Sequence, residues 1–124
     1  MNRRRKGIRI EKKIQKILEK HGWTTHRATW KPLYIKGKLI LVGADIFGCD
    51  LIAIKKGYKP KFISATCHTD IKTRINRIIS YPFDTRFVDI EVWQYKQEKR
   101  TFKIYRIRLD EECLIEKIDF ENYF

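Results

Sequence analysis

The chain has 124 residues, enough for one domain whose core needs no disulfide or metal to hold it. Its 28 Lys and Arg against 15 Asp and Glu leave a formal charge of +13, which predicts attraction to a polyanion, nucleic acid before others. No apolar run approaches the roughly 18 residues of a spanning helix, so no membrane segment is expected.

The start, MNRRRKGIRI, lacks the apolar stretch of a secretory signal. Residues 1–7 read as a flexible basic arm carrying Arg3, Arg4, Arg5 and Lys6. From 8 to 21 the pattern is helical: Ile10, Ile14, Ile17 and Leu18 share one face, and Gly22 follows as a stop signal. Trp23 to Trp30 favour strand. LYI and KLILV flank Lys36-Gly37 as a hairpin, and GADIFG, 43–48, is a glycine-bounded link. DLIAI, 50–54, is apolar at nearly every position, which predicts a strand covered on both faces. KKGYKP is a turn and KFISA the next strand.

Thr69 is the expected cap of a second helix, with Asp70 favourable at its positive end. Ile71, Ile75, Ile78 and Ile79 form its buried stripe, Lys72, Arg74 and Arg77 lie off it, and Pro82 ends it. FVDIEVWQY and TFKIYRIRL alternate as an antiparallel hairpin around KQEKR. The acidic tail DEECLIEKIDFENYF is expected to form a short helix. The whole predicts one domain over 1–124, α/β or α+β, a mixed sheet with helices packed on it in the order α-β-β-β-α-β-β. Cys49, Cys67 and Cys113 are scattered, which fits neither a disulfide framework nor a zinc site and predicts a reducing, intracellular setting.

Three places hold residues that could carry chemistry. Asp50 opens an apolar strand beside Gly48, where a carboxylate must be solvated, paired or bound to a cation; capping the GADIFG turn is its simplest use. Alternation puts Phe62, Ser64 and Thr66 on one face of the next strand, so two hydroxyls could converge with Asp50 across the hairpin. Glu11 borders the buried stripe of the first helix and could point toward the sheet or pair with neighbouring lysines. The basic residues of the arm and second helix suit phosphates. Trp23, Trp30 and Trp93 could stack on bases or fill the core.

RRKGIRIEKKIQKILEKHGWTTHRA resembles the first helix and strand of archaeal Holliday junction resolvases, and DLIAIKKGYKPKFISAT resembles their Asp, apolar strand, turn and second strand. ADIFGCDLIAIKKG followed by FISAT is also similar to small phage-encoded members of the same PD-(D/E)XK nuclease superfamily, whose D-x-F-G-x-x-D segment precedes a strand reading like I-Q-V-T. The closing VDIEVWQYKQEKRTFKIYRI is consistent with their final hairpin, so the resemblance spans residues 3 to about 108.

The resemblance implies a restriction-endonuclease-like sheet flanked by helices and a DNA endonuclease using Mg²⁺ or Mn²⁺, acting on branched or structured DNA, as a homodimer. It places Asp50 at the metal-binding Asp, Glu11 at the helix acid and Asp45 at the extra acid of the phage-type segment. Ser64 stands where Glu or Gln is expected and Thr66 where Lys or Thr is expected. Serine brings no charge to an ion, so the site would lean on Asp50, Asp45 or Glu11 and a main-chain carbonyl near Ala65. Lys61 and Lys72 are the nearest candidates for a relocated lysine, Lys72 the stronger. The alternative is the same fold binding nucleic acid without cutting it.

Overall fold

The computed structural model describes residues 3–29, 31–42 and 45–124, with the backbone alone at 3–5, 31–33 and 40–42. The expectations for Trp30 and for Gly43 and Ala44 of the link lie outside the described residues, as do those for the side chains of Arg3, Arg4 and Arg5.

Helix α1 (Arg3–Lys20) leads into β1 (Thr24–Arg27), then β2 (Lys31–Ile35) and β3 (Lys38–Val42), β4 (Leu51–Ile54) and β5 (Lys61–Thr66). Helix α2 (Ile71–Ile79) follows, then β6 (Asp89–Lys96), β7 (Thr101–Leu109), β8 (Cys113–Asp119) and a 3-10 turn (Phe120–Asn122). The main sheet runs β1-β4-β5-β6-β7-β8, antiparallel at every pairing except β5 with β6. That parallel pair requires a crossover, and α2 supplies it. Strands β2 and β3 form a separate two-stranded sheet. The class is mixed α+β. Along the chain, five strands rather than three separate the helices, and three rather than two follow the second helix.

The sheet has a helix on each face because its strands alternate. Ile63 and Ala65 of β5 point toward α1, where Ile10, Ile14 and Leu18 meet Leu51, Trp93, Phe102 and Ile104. Each such aliphatic side chain contributes about 1.5–3 kcal/mol by leaving water. The stripe Ile71, Ile75 and Ile78 of α2 covers Cys49, Ile90, Val92 and Ile107 on the other face. Trp23 and Trp93 are both buried in the α1-side core, which settles their use as packing.

Four expectations are corrected. Of the basic arm, the described part is helical rather than irregular: α1 already includes Arg3 to Gly7. Arg and Lys are good helix formers, and they carry the helix through Gly7 despite its cost of about 1 kcal/mol. The cap of α2 is Asp70, whose carboxylate accepts from the Thr73 N–H at 3.3 Å and from its hydroxyl at 2.7 Å; Asp70 is the residue directly before the first helical turn. DLIAI is covered on one face, since Leu51 and Ala53 are buried while Ile54 is 54% exposed. The stripe of α2 lies over β6 and β7 and leaves the far end of β4 open. The tail is a strand with a 3-10 turn, not a helix. The outer edge of β7 offers a row of unpaired backbone groups, and residues 113–119 take it up.

The link before β4 ends in a tight hairpin. Phe47 (φ 52) and Gly48 (φ 84) are both left-handed, as a two-residue turn demands, and Ile46 and Cys49 exchange hydrogen bonds of 2.7 and 2.9 Å. A β-carbon on Gly48 would also press on Ile78 of α2 at 3.4 Å. Gly48→Ala is therefore expected to cost about 1–2 kcal/mol in urea unfolding, since a β-carbon penalises the left-handed conformation.

Candidate active site

The hairpin explains a spacing. Asp45 and Asp50 are the next residues outward from the bridged pair Ile46 and Cys49, so the turn brings the two acids close together. Asp50 is then fixed at three points. Its N–H donates to Ile63 O at 2.8 Å, its carbonyl accepts from the Ala28 N–H at 2.9 Å, and its Oδ2 accepts from the Ala65 N–H at 2.8 Å. The backbone group that the β5 strand contributes here is thus the Ala65 amide, a donor that orients the carboxylate.

Glu11 comes from α1, one residue past the buried Ile10. Gly7, one turn earlier, has no side chain to cover it: a β-carbon there would stand 3.9 Å from Glu11 Oε2. Arg27 at the end of β1 reaches the same carboxylate, Nη1 to Oε1 at 3.5 Å, so the partner of Glu11 is an arginine from the sheet rather than a lysine of its own helix. Burial first, and then the charge of Asp50, push Glu11 up to about 7, against the pull of Arg27 and Arg74. Burial likewise raises Asp50, opposed by the Ala65 N–H and by Arg74.

Helix α2 supplies the cations. Arg74 Nη1 donates to Ser64 Oγ at 3.0 Å and stands 3.8 Å from Asp50 Oδ2. Arg77 pairs with Asp45. Ser64 is fully buried and serves as a rest for Arg74. Thr66 is also buried, and its hydroxyl accepts from the His68 N–H at 3.0 Å, closing the turn after β5. Lys72 is exposed on α2 and Arg74 takes the inward place instead. Lys61 lies on the opposite face, paired with Glu91 at 2.9 Å, as alternation along β5 requires.

The structure therefore gathers Glu11, Asp50, Ser64, Arg27 and Arg74, with Asp45 and Arg77 beside them and Thr66 next along the strand. Among the described residues, no group of three or more His, Cys, Asp and Glu side chains stands ready to hold a metal ion. Asp45 commits its carboxylate to Arg77, which leaves Glu11 and Asp50 as the acidic pair. Arg27 is a site residue that sequence reasoning misses, its one signal being the strand that ends in Arg-Ala. Beyond the end of β5 a groove of about 810 Å³ opens, lined by Lys6, Cys67, Gln94, Lys96, Lys99 and Lys103 among others. Among the described residues no helix is long and apolar enough to cross a membrane.

The raised pKa of Glu11 has a consequence for stability. The folded protein holds this proton more tightly than the unfolded chain, whose value is near 4.5, so stability falls as pH rises from 4.5 to about 7 and stays lowered above that. The loss is about 3 kcal/mol at full ionisation. Glu11→Gln should raise the thermal midpoint above pH 7 and change it little below pH 4.5; a uniform shift across the series would refute the assignment.

Compared with models of known protein families and with curated proteins, the chain matches none.

Proposed function

We propose that this chain is a PD-(D/E)XK-type DNA endonuclease, hydrolysing phosphodiesters with Mg²⁺ or Mn²⁺ and acting as a homodimer on branched or structured DNA inside the cell. The observation that carries the reading is a pair of half-buried carboxyls from distant parts of the chain, Glu11 and Asp50, each raised by burial and each within reach of an arginine, Arg27 at 3.5 Å and Arg74 at 3.8 Å. Forcing two acids together is unfavourable unless something cationic relieves it.

The donor set suits such an ion. Magnesium takes hard oxygen ligands and keeps several waters, so one or two carboxylates suffice. Asp50 and Glu11 would hold it, and when bound it polarises the phosphate and lowers the pKa of a water. The protein's own groups do the rest. The Ala65 N–H fixes the rotamer of Asp50. Ser64 aims the Arg74 guanidinium, whose exposed part can take a phosphate oxygen as Arg77 and Lys72 can from the same helix. Arg3 to Lys6 sit at the start of α1, where the helix dipole adds to their charge and favours phosphate binding.

The test is incubation of the purified protein with plasmid, single strands and four-way junctions, with magnesium or manganese, beside an Asp50→Asn control. Metal-dependent cleavage that disappears in the control is expected.

A second reading is favoured by one contact. Arg74, 3.8 Å from Asp50 and held by Ser64, already gives that carboxylate a cation. On this reading the domain binds nucleic acid without cutting it. Salt-sensitive binding with no cleavage, unchanged by Asp50→Asn, would decide for it.

A further inference from the structure

The β2–β3 hairpin, a sheet of its own, exposes apolar side chains at its tip. Tyr34 is 73% exposed, Leu39 56% and Ile35 47%. Tyr34 and Leu39 face each other across the ribbon, Ile35 and Lys38 form the next pair, and Lys36 (φ 51) and Gly37 (φ 76) make the two-residue turn at the tip. Tyr34 and Leu39 form one exposed apolar face at the tip, with Ile35 and Lys38 on the other, and such a face marks a contact surface.

Two features say what it contacts. Between Arg27 and Asp45 the sequence has Lys31, Lys36 and Lys38 and no acid, so the ribbon suits an anion. Its roots are at the candidate site: the chain leaves the main sheet at Ala28, whose N–H donates to Asp50 O at 2.9 Å, and returns at Asp45, paired with Arg77.

We infer that the β2–β3 hairpin is a nucleic-acid contact arm whose tip packs Tyr34 and Leu39, which share one face of the ribbon, against unpaired bases beside the phosphate taken by Arg74, with Lys36 and Lys38 on the flanking phosphates. This rests on the nucleic-acid reading given above. Stacked bases inside a duplex present no face to Tyr34, whereas a flap, bulge or junction does. The arm thus selects opened DNA over continuous duplex.

The test compares the full-length protein with Tyr34→Ser/Leu39→Ser, both exposed positions, on a labelled duplex and on the same duplex carrying an unpaired bulge. The variant should lose affinity for the bulged DNA about tenfold while duplex binding holds, since base stacking on an aromatic is worth that much. A thiouracil in the bulge should photocrosslink to the peptide spanning residues 34–39. If wild type binds both DNAs but the variant matches it and crosslinks map elsewhere, the arm assignment is overturned and the nucleic-acid reading stands. If wild type binds neither, the reading itself fails and takes the arm with it. If wild type without DNA sediments as a larger species than the variant, the tip joins two copies of the chain and the inference is wrong.

Discussion

Replacing Asp50 by asparagine should lower metal-dependent cleavage about a thousandfold while the protein becomes slightly more stable. The first half follows from charge: a divalent ion on a phosphate is worth several kcal/mol of barrier, and each 1.36 kcal/mol is tenfold in rate. The second half follows from the surroundings. Burial disfavours the Asp50 carboxylate, and an amide oxygen can still accept the Ala65 N–H that holds the side chain at 2.8 Å. An activity loss accompanied by a higher melting temperature distinguishes a working carboxylate from a structural one. If Asp50 only braced the turn and anchored Arg74, the variant would melt lower and any cleavage would survive. Single-turnover cleavage rates and a melting curve on the same preparation measure both.

The largest stability effect is expected far from that pair, at Glu91. Its carboxylate has no exposure, yet four side chains donate five hydrogen bonds to it. Lys61 Nζ lies 2.9 Å from Oε2, Arg106 Nε and Nη2 reach Oε2 at 3.1 and 3.0 Å, and Trp93 Nε1 and Tyr123 OH donate to Oε1 at 3.1 and 2.6 Å. Burial pushes this carboxyl up, but Lys61, the Tyr123 hydroxyl and Arg106 outweigh it and hold the pKa below the ordinary glutamate value. A group of this kind contributes stability above its unfolded pKa and loses it as pH falls through the folded one. Glu91→Ala would leave Arg106 without its carboxylate and Lys61 with only Asp89 at 3.6 Å, and would release Tyr123, which docks the C-terminal 3-10 turn against Trp93. Breaking one side of a buried ion pair costs about 3–5 kcal/mol. Chemical denaturation should show a loss of that size, and Tyr123→Phe a smaller one, about that of a single hydrogen bond to a charged group, 1.5–3 kcal/mol. A loss below about 1 kcal/mol for Glu91→Ala would mean the cations find water instead.

Local pattern was sufficient where it repeats. The isoleucines of α1 and α2, the glycine-marked turns and the alternation in β5, β6 and β7 were legible because each follows the period of its own element. The same alternation assigned Ser64 to one face and Lys61 to the other. The tail misled because its acidic start resembles a helix opening, while its strand exists only through pairing with β7. The arm at Arg3 to Gly7 misled for the opposite reason: nothing beside it in sequence reveals that a helix beginning downstream extends back through a glycine.

At the site, Asp50 could be chosen from the sequence because a carboxylate opening an apolar strand is costly, and Glu11 because it borders a buried helical stripe, whereas Asp45 came only from the family resemblance. Which cations answer them could not be chosen from the sequence. Arg27 is 16 residues from Glu11, and Arg74 is 24 residues from Asp50 and 10 from Ser64. These distances are closed only when β1 pairs with β4 and α2 crosses over from β5 to β6. The sequence alone determined the amphipathic faces, the turns, the cationic balance and the candidate acids, because those depend on neighbours along the chain. The tertiary structure decided that Asp45 belongs to Arg77, that Arg74 rather than Lys72 turns inward, and that Glu91 gathers a buried network, because electrostatic partnership depends on distance through space.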